Sequence, residues 1–296
     1  MRIGTAVPSD DQLSKVRHHF IRFISVADYY SASLFERDVL DLLPSLFKKN
    51  RIVIMCGGSG LYIDAVLKGI DDIPDTDPTV RDKYNDLFRK EGIESLRMAL
   101  KMMDPDHYRK VDLRNPKRLI RALEICETTG KPYSSFLGKK NPVRDFRIIK
   151  IGLEMPREDL YRRINERVDR MVSEGLEEEV RGLEEFRNLN ALRSVGYREF
   201  FDYFDGKISR TEAIGLIKRN SRRFARRQIT WWSKDNEIKW FHPSAGDEII
   251  RFIGNEITCQ TCQKSLTNAS IVAAGSGEPN TVLPATNTSA PQSSNF

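Results

Sequence analysis

The sequence predicts an α/β protein in which a parallel β-sheet is flanked by helices. Residues 51–56 form a short continuous apolar run, and residues 146–155 supply a second strand candidate. Such a run is typical of a strand that is buried on both faces, as in a parallel sheet. Residues 34–49 and 61–67, on either side of the first run, have helical patterns. We therefore expect a sheet with helices packed against it.

Helical patterns account for most of the remaining chain. From Thr79 to about Lys140 the pattern is helical, with breaks at proline-containing segments, and it predicts a helical insertion between the strands. Pro156 opens a long helix whose apolar residues recur on one side. That stripe comprises Leu160, Ile164, Val168, Met171, Val172 and Leu176.

The bulk composition is that of a soluble globular protein. The 296 residues can bury a sizeable core and fill one large or two modest domains. We expect no membrane span, because no stretch of 18 apolar residues occurs, and no signal peptide, because the N-terminal residues lack an apolar region. The scattered cysteines favour a reducing, cytoplasmic setting. Cys259 and Cys262 have the spacing of half a zinc site, but no Cys or His follows them, so no metal site is expected.

The strand at 51–56 ends in the glycine-rich segment Gly57-Gly58-Ser59-Gly60, which a helical pattern follows. A strand, a glycine-rich turn and a helix together present backbone N–H groups and a helix N-terminus to an anion. Glycines also end strands for steric reasons alone. The segment therefore has two interpretations, a phosphate or nucleotide contact and a tight turn.

Residues 207–234 carry the basic excess of the chain. They contain nine Lys or Arg and one acidic residue, a net charge of +8, whereas the whole chain carries +6. Ser209 and Glu212 have the spacing of a capping box, which predicts a helix start. The face expected to be apolar comprises Ile214, Ile217, Ser221 and Phe224. The opposite side collects Lys218, Arg219, Arg222, Arg223, Arg226 and Arg227.

A helix with one dense cationic face suits a polyanion, because like charges at this spacing repel one another unless an anion offsets them. The lack of interleaved acids favours nucleic acid over the acids of a protein partner or a merely solvated face. Trp231 and Trp232 at the end of the segment could stack on unpaired bases or pack into the core.

Two further basic groups stand outside this helix. Arg198 follows Gly196 and Tyr197, so a guanidinium lies beside a flexible point of the chain. Arginine suits bidentate phosphate binding, although it could equally pair with an acid. The second group, comprising Lys117, Arg118 and Arg121, clusters on a helix that Pro116 is well placed to begin.

These segments, in this order, resemble the tRNA dimethylallyltransferases, also called tRNA isopentenyltransferases. The resemblance runs from Met1 to about Trp240. The matching segments are MRIGTAVP (1–8), YYSASLF (29–35), CGGSGLYIDAVLKG (56–69), DPTVR (77–81), NPKRLIRALE (115–124), SVGYREFFDYFDG (194–206) and RRFARRQITWW (222–232). Each segment is modest alone, but seven in sequence are specific. Val7 is a small departure, since the family usually has Lys there.

The resemblance implies a fold like that of the P-loop kinases, with a helical insertion that grips the anticodon stem-loop of tRNA. The implied reaction transfers a dimethylallyl group from dimethylallyl diphosphate to N6 of the adenosine just 3′ of the anticodon. The adenosine would be flipped into a channel and meet the diphosphate there. Because the large RNA partner supplies the contact area, we expect the protein to be a monomer.

The resemblance also assigns roles to residues. Arg198 is implied to clamp the leaving diphosphate, with Gly57 and Gly58 on the diphosphate side. The implied tRNA contacts outside the basic helix are Ser59, Arg81, Lys117, Arg118, Leu119, Ile120 and Arg121. Those in the basic helix are Arg222, Arg223, Phe224, Ala225, Arg226, Arg227 and Gln228.

The resemblance and the composition together divide the chain into four parts. Residues 1–74 would be the remainder of a P-loop-type core, residues 75–143 the tRNA-gripping insertion, and residues 144–257 a core strand with the C-terminal helices. Residues 258–296 are rich in Ser, Thr, Asn and Ala, with almost no aromatic residues. Such a segment buries too little apolar surface to order itself, so we expect a disordered tail.

One hallmark of the family is absent from this sequence. The family normally begins with a strand and a G-x-x-x-x-G-K-T loop, followed by an Asp taken as the general base. No G-x-x-x-x-G-K-[ST] match occurs, and Met1 aligns just past that Asp. We therefore expect the phosphate cradle, the base and the hydroxyl that would bind the family's Mg²⁺ to be missing.

Two explanations of this absence are open. In the first, the sequence is a fragment of a full enzyme. In the second, the chain is complete, catalytically inactive and poorly folded, because the strand at 51–56 would lack a neighbour. Two alternative functions also stay open at this point. One is a non-catalytic tRNA- or RNA-binding module, and the other is a nucleotide-level prenyltransferase or kinase.

Overall fold

The computed structural model describes residues 1–5, 7–71, 73–74, 76–138, 143–258 and 270–276. Its α-helices are α1 (Asp10–Lys15), α2 (Ala32–Phe47), α3 (Gly60–Lys68), α4 (Pro78–Glu91), α5 (Ile93–Met103), α6 (Pro105–Tyr108), α7 (Pro116–Thr129), α8 (Arg157–Ser173), α9 (Leu176–Arg181), α10 (Arg198–Phe204), α11 (Arg210–Trp232) and α12 (Gly246–Thr258). Its strands are β1 (Ile52–Cys56), β2 (Arg147–Leu153), β3 (Lys239–Phe241) and β4 (Ser270–Ser276). Short 3-10 helices cover Tyr133–Phe136, Glu184–Phe186 and Asn190–Arg193. None of these helices is both long and apolar enough to cross a lipid bilayer.

The described strands form one parallel sheet in the order β1-β4-β2-β3. Ile271 of β4 pairs with Val53 of β1 on one side and with Ile148 of β2 on the other. Paired residues on neighbouring strands point to the same face, so these three side chains share one face of the sheet. The predicted α/β class and both predicted strands are confirmed.

Helices cover the two faces of the sheet unequally. α2 and α3 pack on one face, where the buried residues are Val39, Leu43, Val66 and Ile271. α12 packs on the other face, over β2 and β3, where the buried residues are Ile149, Ile151, Leu153 and Ile249. The apolar core of the α/β part therefore lies on both sides of β2.

β1 is an edge strand with one open face. Val53 and Met55 face α2 and α3, but Ile54 on the opposite face is 59% exposed. The expectation that this strand is buried on both faces is wrong, because α12 packs over β2 and β3 rather than over β1. The expectation that the strand lacks a neighbour is also wrong, since β4 pairs along its whole length.

The expectation that the whole C-terminal tail is disordered is wrong for the strand β4. The composition of residues 258–296 predicts disorder, but Ser270–Ser276 form a strand between β1 and β2, and Ile271 is 1% exposed. A strand in a central position is paired on both sides, which compensates for the weak β-propensity of its Ala and Gly residues. α12 includes Thr258, whereas Cys259 and Cys262 lie outside the described residues.

α4 to α7 pack against one another in the region where the sequence predicts a helical insertion. Their core comprises Tyr84, Leu96, Leu100, Leu119, Ile120, Ala122 and Leu123. Asp104 is 1% exposed, and its carboxylate links neighbouring segments of this helical region. It accepts hydrogen bonds from the backbone N–H of His107 and from both the N–H and the hydroxyl of Ser134. Pro116 occupies the start of α7 behind its N-cap residue Asn115, as predicted.

α8 to α11 form a second helical cluster. The predicted stripe of α8 is confirmed, since its buried residues are Leu160, Ile164, Val168 and Met171. α11 joins this cluster to the α/β part. Ala225 of α11 packs with Leu160 and Ile164, while Trp232 at its end packs with Ile63 and Leu67 of α3.

Replacing Ile271 by Ala tests whether β4 holds the sheet together. The change leaves a cavity where the sheet meets α2 and α3, so we expect the free energy of unfolding to fall by about 2–4 kcal/mol. The matched variant Ile250→Ala, on α12 with its side chain 46% exposed, should cost less than about 1 kcal/mol. Urea unfolding followed by circular dichroism measures both. Equal stabilities of the two variants would show that β4 does not contribute to the core.

Candidate functional site

α11 begins as the sequence predicts, and of its predicted apolar face Ile217 is buried and Ile214 packs beside it. Ser209 and Glu212 form the capping box, each side chain accepting a hydrogen bond from the other's backbone N–H. The buried residues of the helix are Ala213, Ile217, Ala225, Gln228 and Trp232. Phe224 is 40% exposed, so its predicted place on the apolar face is wrong. The small side chain of Ala225 makes the contact with α8, which turns Phe224 outwards.

One side of α11 carries arginines that have no acidic partner. Lys218 pairs with Asp169 and Arg222 donates to Asn165, both at 2.6 Å, so these two cations are engaged within the protein. We call the surface formed by Arg219, Arg223, Arg226 and Arg227 the basic face. In the described parts of the chain, no acid forms an ion pair with any of these four arginines. All four are exposed. Such a concentration of unneutralised charge attracts a polyanion.

The glycine-rich segment lies against α11. Gln228 donates from Nε2 to the carbonyl oxygen of Gly58 at 2.8 Å, and a Cβ on Gly58 would come within 1.8 Å of that nitrogen. A Cβ on Gly60 would come within 2.5 Å of the Trp231 indole, whereas one on Gly57 would meet nothing within 4 Å. Close packing therefore accounts for Gly58 and Gly60, which supports the steric interpretation of this segment.

Ser59 and Gln228 present polar atoms where the glycine-rich segment meets α11. Ser59 is the N-cap residue of α3, but its hydroxyl makes no capping hydrogen bond and its side chain is exposed. Gln228 is 4% exposed, and its Oε1 has no hydrogen-bond partner among the described residues. The implied tRNA residues Ser59 and Gln228 are thus brought together with Gly58.

Arg198 begins α10 on the turn that follows Gly196. Its Nε donates to Oε1 of Glu199 at 2.9 Å, while the side chain stays 52% exposed. Gly196 has a φ of 103°, in the region that favours glycine, and this value permits the sharp turn. The interpretation that Arg198 pairs with an acid is confirmed. Phosphate binding by Arg198 stays a prediction, and its side chain still reaches the surface.

A second carboxylate, that of Glu179, joins this turn to the N-terminal segment. It accepts hydrogen bonds from the backbone N–H groups of Arg2, Ile3 and Gly4 and, at 2.6 Å, from the hydroxyl of Tyr197. Burial alone would raise the pKa of Glu179, but these hydrogen bonds outweigh it and hold the pKa below its ordinary value. Gly4 packs so closely on Tyr197 that a Cβ would come within 2.3 Å of the hydroxyl.

The residues of α7 implied to contact tRNA are divided between surface and core. Lys117 and Arg118 are exposed at the start of the helix. Leu119 and Ile120 are 0% and 6% exposed inside the core of the insertion, so their side chains do not lie at the surface. The same is true of Ala225 of α11, which is 2% exposed, and an RNA contact by these residues stays a prediction. In each case the motif extends through a full helical turn and so includes inward-facing positions.

Arg81 and Arg121 share one buried carboxylate. Glu124 is fully buried and accepts from Nε and Nη2 of Arg81 at 2.5 and 2.9 Å and from Nη1 of Arg121 at 3.4 Å. Arg121 also donates to the hydroxyl of Thr76 at 3.1 Å. Both arginine side chains stay partly exposed, at 55% and 36%. Glu124 therefore orients these two cations without removing them from the surface.

A cavity of about 510 Å³ lies near the C-terminal end of α11, where Trp231 and Trp232 contribute to its lining. Lys150 in this cavity pairs with Asp235 at 2.8 Å and with Glu237 at 2.6 Å. Three lysines and three acids line the cavity, so it carries no excess of positive charge and is poorly suited to a diphosphate. Trp232 is 6% exposed and belongs to the core, whereas Trp231 is 44% exposed, so only Trp231 could stack on a base.

Sequence reasoning missed three acids of the site, two of which orient arginines, Glu124 and Glu199, while Glu179 holds backbone N–H groups. Glu124 interrupts the apolar stretch of α7, and Glu199 lies directly before Phe200 and Phe201. A carboxylate on an otherwise apolar helix face indicates a buried partner, so a signal existed for both. Glu179 follows two other glutamates and gave no comparable signal.

Comparison with known proteins decides the family. The profile of the IPP transferase family matches residues 1–235. The chain belongs to this family. Among curated IPP transferases, it is 53% identical over 241 residues to the tRNA dimethylallyltransferase of Christiangramia forsetii, which covers 81% of this chain and 80% of that protein. It is 48% identical over 253 residues to tRNA dimethylallyltransferase 1 of Bacteroides thetaiotaomicron, covering 86% of this chain and 82% of that protein.

Solved structures of IPP transferases have the same fold. The tRNA isopentenylpyrophosphate transferase of Bacillus halodurans is similar with a TM-score of 0.55 at 32% identity, covering 87% of this chain and 82% of that chain. A eukaryotic dimethylallyltransferase acting on tRNA is similar in fold, with a TM-score of 0.66 at 21% identity, covering 88% and 69% of the two chains. The P-loop-kinase-like fold implied by the resemblance is therefore confirmed.

Gly58 and Gly57 offer a matched pair of substitutions. Gly58→Ala places a methyl group against the buried amide of Gln228, which must move and lose its hydrogen bond, so we expect a loss of about 1–3 kcal/mol in the free energy of unfolding. Gly57→Ala meets open space and should change stability by less than about 0.5 kcal/mol. Thermal unfolding compares the two variants. A greater loss for Gly57→Ala would contradict the described packing.

The carboxylate of Glu179 makes part of the stability depend on pH. Its pKa is lowered by folding, so its contribution is fully present above the unfolded pKa of about 4.3 and is lost as the pH falls through the lower folded value. We therefore expect the stability difference between wild type and Glu179→Gln to shrink on acidification from about pH 6 to about pH 3. Unfolding in urea at several pH values measures this difference. Glu178→Gln, at an exposed neighbouring position, should show no such pH dependence, and a matching slope in both variants would contradict the assignment.

Proposed function

We propose that this protein transfers a dimethylallyl group from dimethylallyl diphosphate to N6 of the adenosine 3′ of the anticodon in tRNA. The observation that carries the proposal is the position of the basic face on a helix that also contacts the two other candidate elements. α11 reaches the glycine-rich segment through Gln228 and the turn bearing Arg198 through Asn220. The names of the similar curated proteins, tRNA dimethylallyltransferases, support the same reaction.

In the proposed reaction, N6 of the adenosine bonds to C1 of the dimethylallyl group as the bond from C1 to the diphosphate oxygen breaks. N6 loses one proton to solvent water, and the diphosphate leaves with the electron pair of the broken bond. Negative charge therefore builds up on the leaving group in the transition state. Arg198, with one edge held by Glu199, supplies a fixed cation for that charge.

tRNA binding is proposed for two surfaces. The basic face of α11 would contact the phosphate backbone, joined by Lys117 and Arg118 at the start of α7. Arg81 and Arg121, which Glu124 orients, would add contacts from the insertion. These side chains are cations that suit phosphates, so they would fix the position of the RNA. The specificity would come from recognition of the flipped base.

Mg²⁺ is implied by the resemblance. No group of three or more His, Cys, Asp or Glu side chains able to hold a metal occurs in the described ranges. Glu199, the carboxylate bound to Arg198, already accepts three hydrogen bonds. The described residues therefore do not form a Mg²⁺ site built from protein side chains alone. The roles proposed here for Arg198 and the basic face depend only on the protein's own side chains.

The alternative functions have less support. A non-catalytic RNA-binding module would account for the basic face, but the similar curated proteins are transferases. A nucleotide-level prenyltransferase or kinase would not need a basic face as extensive as that of α11. The monomeric state and the cytoplasmic setting stay predictions.

The direct test of the proposal is incorporation of a radiolabelled dimethylallyl group into tRNA in the presence of Mg²⁺. We expect label in the anticodon loop, and AMP in large excess should not compete with the tRNA. Labelling of AMP instead of tRNA would favour the nucleotide-level alternative. RNA binding without any labelling would favour the non-catalytic module.

Charge reversal on the basic face should weaken RNA binding. For Arg223→Glu combined with Arg226→Glu we expect the affinity for an anticodon stem-loop RNA to fall at least about tenfold, because two phosphate contacts become repulsive. The slope of log affinity against log salt should become shallower by about two. Filter binding over a salt series measures both quantities.

Arg251→Glu is the matched control for this charge reversal. Arg251 is exposed on α12, which packs on the sheet face opposite to α3 and the end of α11. The control changes the net charge by the same amount per residue and should leave the salt slope unchanged. A similar loss per substitution in the control and on α11 would show that binding depends on net charge alone.

A further inference from the structure

Glu199 is a buried carboxylate with an unusually complete set of donors. Its side chain is 3% exposed. Oε2 accepts the backbone N–H of Gly196 at 2.9 Å, and Oε1 accepts both Nε of Arg198 at 2.9 Å and Nδ2 of Asn220 at 2.7 Å. The three donors come from the turn, from α10 and from α11. One side chain therefore joins three elements of the candidate site.

Burying the carboxylate of Glu199 costs free energy that its hydrogen-bond donors must offset. A buried carboxylate is costly unless charged or polar partners satisfy it, and here the three donors do so. A purely structural ion pair would be expected to bury its cation as well. Arg198 instead stays 52% exposed, so Glu199 fixes the guanidinium by one edge and keeps it at the surface. In the described chain no second acid pairs with Arg198.

The contact with Asn220 places this cation relative to the basic face. Asn220 lies on α11 directly after Arg219 and three residues before Arg223. Its hydrogen bond to Glu199 therefore links the turn that carries Arg198 to the helix that carries the unpaired arginines. The orientation of Arg198 and the position of the basic face are set by the same carboxylate.

We propose that Glu199 is a positioning residue, which holds the guanidinium of Arg198 for the diphosphate at a fixed place relative to α11. This inference rests on the proposed function, since it assumes that Arg198 contacts the diphosphate. Glu199 itself does not contact the substrate. It acts through Arg198, because its hydrogen bond to Nε restricts the orientations open to the guanidinium.

Titration of the full chain with inorganic pyrophosphate tests this inference. Four proteins are compared by isothermal titration calorimetry: wild type, Arg198→Ala, Glu199→Gln and the double variant. We expect Glu199→Gln to bind pyrophosphate about tenfold more weakly, since the ionic hydrogen bond that orients Arg198 is lost. In the Arg198→Ala background the same substitution should have no further effect, because its target is gone.

Glu36→Gln is the matched control. Glu36 is another buried acid, 9% exposed, which accepts from Arg144 and from the backbone N–H of Ile70. Its neutralisation should leave pyrophosphate affinity at the wild-type value. Thermal unfolding of every variant separates a loss of binding from a loss of folded protein.

The outcomes separate this inference from the proposed function. Unchanged pyrophosphate binding by Arg198→Ala would overturn the role of Arg198 in the proposed function and the inference with it. Weaker binding by Arg198→Ala but not by Glu199→Gln would overturn the inference alone. A full loss from Glu199→Gln in the Arg198→Ala background would overturn it too, because the residue would then act on the fold in general.

A second variant keeps the inference testable if Glu199→Gln does not fold. Asn220→Ala removes only the link to α11 and leaves the carboxylate with Arg198 and Gly196. We expect it to fold and to bind pyrophosphate about threefold more weakly, since Glu199 becomes free to shift. Wild-type affinity in this variant would overturn the inference.

Discussion

α11 has to bury one side against two parts of the molecule while arginines on its other side stay without acidic partners. Its buried side packs Ala225 against α8, Gln228 against Gly58 and Trp232 against α3. These contacts hold the helix in place against the repulsion among the unpaired cations. The arginines of the basic face therefore stay available to a polyanion. The packing on the buried side of α11 offsets the repulsion among them.

Buried carboxylates recur wherever this protein has to hold a cation or a turn at the surface. Glu124 orients Arg81 and Arg121, and Glu199 orients Arg198. Glu179 applies the same chemistry to backbone N–H groups, and it ties the N-terminal segment to the turn before α10. For Glu124 and Glu199 the acid is buried and its arginine partners are nearer to solvent. This arrangement restricts the partner's orientation but leaves it able to bind a ligand.

The elements of the fold could largely be predicted because their signals are local. The capping box at Ser209 and Glu212 and the stripe of α8 depend on neighbours within a few turns. The exposure of Phe224 and the burial of Leu119 could not be predicted in the same way. Several rotations of a helix leave an acceptable apolar face, and only the tertiary partner selects one. The buried acids had a weaker signal, since an acidic residue in a helix is usually solvated.

The strand β4 shows why composition alone fails for a short segment in a polar tail. Disorder is predicted by averaging over residues 258–296, in which apolar residues are few. Pairing depends instead on a short apolar stretch and on a vacant position between two parallel strands. Between β1 and β2, residues 270–276 gain backbone hydrogen bonds on both sides and bury Ile271 against α2 and α3. Since the neighbouring strands supply most of this stabilisation, the short apolar stretch alone does not predict the strand.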